Sequence, residues 1–316
     1  MLPIAVDAMG GDRAPEEIVA GARRAADELG VPVALVGRPE AIGDAGGLEV
    51  IPAAEVIGMD DDPAQGIRRK KDSSLVRAAE AVRDGRAGAM VSAGNTGATM
   101  AAALLRMGRL SGVQRPAIAT PIPVPGSTPT VLLDAGANAE CTPQYLVQFA
   151  QMGAAFAAER YGIAEPRVGL LSIGEEDTKG TPLVKETNGL LRAGAGLRFV
   201  GNVEGRDIMT DAVDVVVTDG FTGNVVLKTL EGGLKALVGA VANAVGEVPG
   251  AVEALLPLAA QFDPDNTGGA MLLGVDGVCI ISHGSSSATA IVNAVKVAAD
   301  MVQAGLVDTL RGAVKA

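Results

Sequence analysis

The fold is decided by the stretch VVVTDGFTGNVVLK at residues 215–228. It starts as an apolar strand, ends that strand at Asp219, turns through Gly220 and Gly223, and continues as an amphipathic helix. In an open α/β sheet, ligands bind where the carboxyl end of a strand meets the amino end of a helix. The unpaired N–H groups of the first helical turn favour an anion there. The stretch therefore predicts an anion-binding turn in an α/β protein.

Similar strand-to-helix turns, rich in glycine and short polar residues, recur along the chain. They lie at residues 6–12, 91–97, 133–138, 173–180 and 282–287. Because the carboxyl ends of parallel strands meet at the same edge of a sheet, we expect all six turns to line a single edge. Several such turns together are typical of an enzyme that handles phosphate.

Short β-branched runs alternate with longer helical patterns over the whole chain. This alternation predicts an α/β protein of three layers (α/β/α) with a mostly parallel, Rossmann-like sheet. No segment has the composition of a flexible linker, so we expect a single domain over residues 1–316. Residues 229–265 differ, because their helical apolar pattern is interrupted at Val248-Pro249-Gly250, which predicts a projecting helical hairpin. The predicted strands cover residues 4–7, 33–36, 89–92, 117–121, 131–134, 168–172, 198–200, 213–218 and 278–282. The predicted helices cover residues 16–29, 74–84, 95–107, 143–161, 182–193, 224–245 and 286–304.

Composition limits the classes of function. Aromatic residues make up 2% of the chain and Trp is absent, so the core must consist of Ala, Val, Leu and Ile, as buried parallel strands prefer. The net charge of −11 argues against nucleic-acid binding, which needs a basic surface. Cys141 and Cys279 form no C-x-x-C pair and are expected to be reduced thiols. Neither a signal peptide nor an apolar membrane span is visible, so we expect a cytoplasmic protein.

The turns and several further motifs resemble the phosphate acyltransferase family. The matching strings occur in the family's order between residue 4 and about residue 290. They are Asp7-Ala8-Met9-Gly10-Gly11-Asp12, Ser92-Ala93-Gly94-Asn95-Thr96-Gly97, Gly201-Asn202-Val203-Glu204-Gly205-Arg206, residues 219–228, Leu272-Leu273-Gly274 and His283-Gly284-Ser285-Ser286. Each string alone is unspecific, but their joint order makes the resemblance specific.

The resemblance implies an isopropylmalate dehydrogenase-like fold and the conversion of long-chain acyl-acyl-carrier-protein and inorganic phosphate to acyl phosphate, which feeds glycerol-3-phosphate acylation in phospholipid synthesis. It implies acyl carrier protein and phosphate as partners, a homodimer, a membrane glycerol-3-phosphate acyltransferase downstream, and no cofactor. In this reaction phosphate itself attacks the thioester, so positioning and electrostatic stabilisation should dominate the rate.

Three residues are the catalytic candidates. Lys179 lies in an acidic turn that matches the family's lysine-glycine turn, and we interpret it as a cation for phosphate or the developing oxyanion, with Lys185 as the fallback. Asn224 is suited to donate its amide N–H to the same oxygen, and equally to cap a helix. His283, the only histidine, is suited to acid–base work.

The remaining site candidates are short polar residues and glycines at the turns. Ser92, Asn95 and Thr96 are suited to bind phosphate at a helix start; helix capping is the alternative, and the joint motif match favours phosphate binding. The full substrate-binding set is Asp7, Gly10, Gly11, Ser92, Gly94, Asn95, Thr96, Gly97, Asp134, Asn138, Asp219, Gly220, Gly223, Ser285 and Ser286. The carboxylates among them, with Asp12, have the chemistry of a divalent-metal site, but capping helices and orienting the lysine are favoured, and no metal is expected.

The basic run Arg68, Arg69, Lys70 and Lys71 has two interpretations. Acyl carrier proteins are acidic, so an enzyme with a net charge of −11 needs a local positive patch to attract one. The run also matches a family motif and is therefore equally suited to line the phosphate pocket.

Two other functions fit part of the pattern. One is a related enzyme on a similar fold: a coenzyme A-dependent phosphate acetyltransferase, or a decarboxylating dehydrogenase that uses a metal and NAD. The dehydrogenase is disfavoured because no G-x-G-x-x-G follows a strand. The other is a non-catalytic scaffold that binds phosphate or acyl groups at a membrane.

The hairpin carries no basic face. Residues 236–295 contain no Lys or Arg, whereas helices that hold anionic bilayers usually present basic residues. The resemblance implies membrane association through this projection. We therefore expect a homodimer with weak membrane attachment that is largely insensitive to anionic lipid.

Overall fold

The computed structural model describes residues 1–246, 248 and 250–314. Its strands form one sheet of eleven, in the order β3-β2-β1-β4-β11-β10-β5-β6-β9-β7-β8. The strands are β1 Ile4–Asp7, β2 Val33–Gly37, β3 Glu49–Pro52, β4 Ala89–Ser92, β5 Ala117–Ile122, β6 Thr130–Leu133, β7 Arg167–Leu171, β8 Arg198–Val203, β9 Val215–Val217, β10 Ala270–Leu273 and β11 Val278–Ile281.

Helices cover both faces of the sheet, so the predicted three-layer α/β/α fold with a mostly parallel sheet is confirmed. The helices are α1 Glu16–Leu29, α2 Pro39–Ile42, α3 Pro63–Arg69, α4 Ser74–Arg83, α5 Thr96–Ala102, α6 Pro143–Tyr161, α7 Pro182–Arg192, α8 Gly220–Val245, α9 Ala251–Gln261, α10 Ala288–Gln303 and α11 Leu306–Ala313. A π-helical turn, Ala103–Met107, continues α5. Helices α1, α6, α7, α10 and α11 pack on one face, and α3, α4, α5 and α8 pack on the other.

The direction of the strands changes in the middle of the sheet. Strand β10 is antiparallel to both β11 and β5, and β5 is antiparallel to β6. All other pairs are parallel. Strands β6, β7, β9 and β8 therefore run opposite to β1, β2, β3, β4 and β11, and the two blocks have their carboxyl ends at opposite edges.

This reversal corrects the prediction that all six turns share one edge. The turns after β1, β4 and β11 lie at one edge, and those after β6, β7 and β9 lie at the other. The sequence pattern misses β10, and also the edge strand β3. The two antiparallel pairings of β10 cancel, so the net reversal arises at the antiparallel pair of β5 and β6, which an expectation of parallel strands misses.

The predicted hairpin corresponds to α8 and α9. Helix α8 packs its first three turns on the sheet through Val226, Leu227 and Leu230, whereas further along it Leu237 is 60% exposed. Pro249, where the sequence predicts the break, lies outside the described residues. Within the described part of the chain, no single helix is long and apolar enough to cross a membrane, although α10 and α11, bent by 61°, meet those criteria as a pair.

Candidate active site

The turn after β6 is organised by the buried carboxylate of Asp134. Its Oδ1 accepts N–H groups of Ile118, Gly136 and Ala137 at 3.0, 3.2 and 2.9 Å. Its Oδ2 accepts the backbone N–H and the Nδ2 of Asn138 at 2.7 and 2.8 Å. Burial raises the pKa of Asp134, and these donors oppose the rise. Because both oxygens of this carboxylate accept hydrogen bonds within the protein, Asp134 holds the turn in place, and its predicted contact with substrate stays a prediction.

Helix α8 begins directly on this turn. Asp219 caps the helix by accepting the N–H of Thr222 at 2.9 Å, and the N–H of Gly220 donates to the Asn138 carbonyl at 2.7 Å. A Cβ on Gly220 would lie 2.7 Å from the Asn138 backbone, so glycine is needed for the close approach. A Cβ on Gly223 would lie even closer to the Asp134 carbonyl oxygen.

The docked helix places Asn224 beside the same turn. A Cβ on Gly136 would lie 3.6 Å from Asn224 Oδ1, and the Asn224 side chain is exposed. Its amide forms no hydrogen bond within the described part of the chain. By contrast, the Nδ2 of Asn138 already donates to Asp134 and to the Pro116 carbonyl; that Asn138 binds substrate stays a prediction.

Lys179 lies on the neighbouring turn, after β7. Two hydrogen bonds hold this turn in place: Asn202 Nδ2 donates to the Glu176 carbonyl at 2.9 Å, and Arg192 donates to Asp177 at 2.6 Å. Lys179 itself is exposed and has no ion pair with any described residue. A fixed turn thus presents a free ammonium group. We call Asp134, Asn138, Lys179, Asp219 and Asn224 the Asp134 cluster.

A second free cation, Arg115, was missed by the sequence reasoning because it precedes a strand instead of following one. Its guanidinium stacks on the Tyr145 ring at 5.9 Å from the centroid, and it makes no ion pair with the described residues. It lines a pocket of about 230 Å³ together with Gly97 and Asn138. The fallback lysine, Lys185, is exposed on α7.

The cysteines supply no nucleophile. Burial raises the pKa of Cys141, which lies near this pocket, to about 12, and it does the same for Cys279 in β11. Both thiols therefore stay protonated at neutral pH, in agreement with a reaction in which phosphate attacks directly.

At the opposite edge of the sheet, the three glycine-rich turns after β1, β4 and β11 contact one another around Asp7. Ser92 Oγ donates to Asp7 Oδ2 at 2.7 Å and accepts the Gly94 N–H at 3.0 Å. A Cβ on Gly10 would lie 2.8 Å from the Gly94 nitrogen, and the Asp12 N–H donates to the Gly284 carbonyl at 2.8 Å. Burial raises the pKa of Asp7. We call the turns after β1, β4 and β11 the Asp7 cluster.

Within the Asp7 cluster, the predicted phosphate ligand Asn95 is fully occupied. Its Oδ1 accepts the Ala98 N–H at 3.0 Å, and its Nδ2 donates to the carbonyls of Met59 and Asp61 at 2.8 and 3.2 Å. The capping role that the sequence left open is the one observed. Thr96 is exposed at the start of α5.

His283 is also part of the Asp7 cluster. Its Nδ1 lies 2.8 Å from Ser285 Oγ and accepts the Ser285 N–H at 3.3 Å, while Ser286 Oγ donates to the His283 carbonyl at 2.6 Å. Five strand intervals separate β11 from β7, which is about 24 Å at about 4.8 Å per strand. The structure therefore does not bring His283 and Lys179 together within one chain, and the catalytic role of each stays a prediction.

The basic run lies beside the Asp7 cluster, because α3 packs on α5. Lys70 Nζ donates to Asp61 at 2.5 Å and to the Val56 carbonyl at 2.8 Å, so it stabilises its own loop, and its part in docking stays a prediction. Arg68, Arg69 and Lys71 are exposed and form no ion pair with the described residues.

The carboxylates of the turns are not grouped for metal binding. Within residues 1–246, 248 and 250–314, no three His, Cys, Asp or Glu side chains lie close enough together to hold a metal ion.

Comparisons of the sequence with those of known proteins all point to one family. The profile of a family described as "Fatty acid synthesis protein" matches residues 2–309. The phosphate acyltransferase of Elusimicrobium minutum is 49% identical over 98% of this chain and 94% of its own length. That of Heliobacterium modesticaldum is 50% identical over 98% of this chain and 96% of its own.

Solved structures share the fold at low identity. A phosphotransacetylase from Streptococcus pyogenes has a TM-score of 0.65 and 19% identity, covering 96% of this chain and 94% of its own. A branched-chain phosphotransacylase from Enterococcus faecalis has a TM-score of 0.65 and 16% identity, covering 96% and 99%. At this identity the likeness concerns the fold alone.

Proposed function

The chain belongs to the phosphate acyltransferase family and is an acyltransferase, and from this premise we propose that it converts long-chain acyl-acyl-carrier-protein and inorganic phosphate to acyl phosphate and free carrier protein. A phosphate oxygen attacks the thioester carbonyl carbon and forms the new C–O bond. The C–S bond breaks, and the released thiolate takes up a proton.

The observation that carries this proposal is the geometry of the Asp134 cluster. Two adjacent turns, both rigidly anchored, present the free ammonium of Lys179 and the free amide of Asn224. We assign Lys179 to a phosphate oxygen and Asn224 to the developing oxyanion. Donors held in place before the reaction stabilise such charge without the cost of reorganisation.

Arg115 extends the same site. Phosphate carries about two negative charges near neutral pH, so a second cation in addition to Lys179 suits it. Arg115 lines the 230 Å³ pocket together with Gly97 and Asn138. The pocket runs along α5, from the Asp7 cluster towards Asn138.

This pocket also gives the basic run a role. Pro63, the first residue of α3, packs on Gly97 of α5. Arg68 and Arg69 end α3, and Lys71 follows it by two residues. We propose that the acidic carrier protein docks on these three residues, and that its thioester arm follows the pocket along α5 to the Asp134 cluster. Complementary charge of this kind chiefly raises the association rate.

The experiment is incubation of the purified chain with palmitoyl-acyl-carrier-protein and phosphate, with acyl phosphate measured as the product. Acetyl-coenzyme A in place of the acyl carrier protein is the control. Acyl phosphate that depends on phosphate and forms faster from the carrier-protein donor is the expected result. A preference for acetyl-coenzyme A would make the chain a phosphate acetyltransferase, and no product from either donor would make it a scaffold.

We also propose a homodimer in the cytoplasm with weak membrane attachment. Three leucines of α8 and α9 are exposed: Leu237 by 60%, Leu256 by 60% and Leu258 by 47%. These helices can therefore bind a membrane through apolar contacts. Co-sedimentation with vesicles of increasing anionic lipid content tests the proposal, and binding that rises steeply with that content would contradict it.

A further inference from the structure

A large apolar groove lies along the helical hairpin. It has a volume of about 970 Å³ and lies between α8, α9, the end of β5 and residues 263–267. Its apolar lining comprises Pro121, Ile122, Pro123, Leu227, Leu230, Leu234, Val238, Leu256 and Phe262. Lys228 and Glu231, paired at 2.8 Å, also line it.

The groove is continuous with the Asp134 cluster through α8. Asn224 stands in the second turn of that helix, and the groove begins one turn later at Leu227. On the sheet side it begins at Thr120, which pairs with Leu132, two residues before Asp134. The groove therefore leads away from the proposed reaction centre.

Thr120 is a further sign that a ligand enters. Its hydroxyl oxygen is buried and has no hydrogen-bond partner within the described chain, which is costly for a polar group. It lies in the groove lining near the reaction centre. A polar group at one end of an otherwise apolar ligand would give the Thr120 hydroxyl the hydrogen bond that it lacks.

The length of the groove matches one acyl chain. Eleven residues of α8 separate Leu227 from Val238, which is about 16 Å at 1.5 Å per residue. An acyl chain in one leaflet of a bilayer spans about half of the roughly 30 Å hydrocarbon core, or about 15 Å.

Resting on the proposed function, we infer that this groove binds the acyl chain of the thioester substrate and selects its length. The thioester lies at the Asn224 end, beside the Thr120 hydroxyl, and the chain extends along α8 towards Val238. Each methylene that enters should improve kcat/KM by roughly fourfold until the groove is full.

The test uses Leu234→Trp, which fills the middle of the groove. The matched control is Leu237→Trp, the same change one turn along α8 at a side chain that is 60% exposed and outside the groove. The ratio of kcat/KM for palmitoyl-acyl-carrier-protein to that for the butyryl form is measured for both variants and the wild type. We expect Leu234→Trp to lower this ratio by about tenfold or more, and Leu237→Trp to leave it unchanged.

Because the chain has no other Trp, the introduced indole also reports on the groove directly. Palmitate should change its fluorescence in Leu234→Trp and not in Leu237→Trp. If the ratio of the two kcat/KM values is unchanged in Leu234→Trp, the inference is overturned. It is also overturned if this variant no longer forms dimers and loses activity equally with both donors, because a second copy of the chain would then occupy the groove. Absence of acyl phosphate formation by the wild type from either donor would instead refute the proposed function.

Discussion

Gly220→Ala tests how the Asp134 cluster is held together. The added Cβ would lie 2.7 Å from both the nitrogen and the carbonyl oxygen of Asn138, and 2.9 Å from Asp134 Oδ2. Two of these contacts are with backbone, which cannot rotate away. The start of α8 must therefore move off the turn, and Asn224 moves with it.

The stability cost follows from overpacking, which is typically about 1–3 kcal/mol. The unfolding entropy is about 2.1 cal/mol/K per residue, or about 0.66 kcal/mol/K for 316 residues. The melting temperature should thus fall by about 1.5–4.5 °C. Because a displacement of about 1 Å in a catalytic group can cost about 10²-fold in rate, we expect kcat to fall by a factor of that order.

The control is Gly239→Ala on the same helix, where an added Cβ meets no atom within 4 Å. That change should stabilise the protein by about 0.5–1 kcal/mol, because glycine is unfavourable within helices. Thermal unfolding and steady-state kinetics measure both variants. If Gly220→Ala melts and turns over like the wild type, or if Gly239→Ala suffers the same losses, the close contact does not position Asn224.

Three further predictions concern charge. Lys179→Met should lower kcat by about 10²-fold with an unchanged melting temperature, since the side chain is exposed and unpaired, and near-normal turnover would remove it from the site. Charge reversal of Arg68, Arg69 and Lys71 to Glu should raise KM for the acyl carrier protein more than KM for a pantetheine-linked donor, and this difference should depend on salt. Equal effects on both donors would place the basic run in the phosphate pocket. Burial raises the pKa of Asp7, so its favourable contribution to stability is complete below the pKa of the unfolded chain and is lost as pH rises through that of the folded state. Asp7→Asn should therefore gain stability relative to the wild type as pH rises above the usual aspartate range in melting experiments, and a difference that does not change with pH would contradict this.

Local sequence determined most elements and several details of the turns. The alternation of short apolar runs and helical patterns predicts nine of the strands, the helix that begins after Asp219, and the hairpin. Capping is equally local, so the roles of Asp219 and Asn95 as helix caps follow from the residue type and its position before a helix.

Only the tertiary structure decided which turns meet. A strand of four buried residues, such as β6, has no local feature that records its direction, because direction is set by pairing with other strands. The antiparallel pair of β5 and β6 places the turns of Lys179 and His283 at opposite edges of the sheet, and Arg115, which no strand-end motif marks, lines one pocket with Asn138. The five donors around Asp134 likewise come from two separate segments. Sequence thus supplied the chemistry of each turn, whereas long-range pairing determined which of those turns form one site.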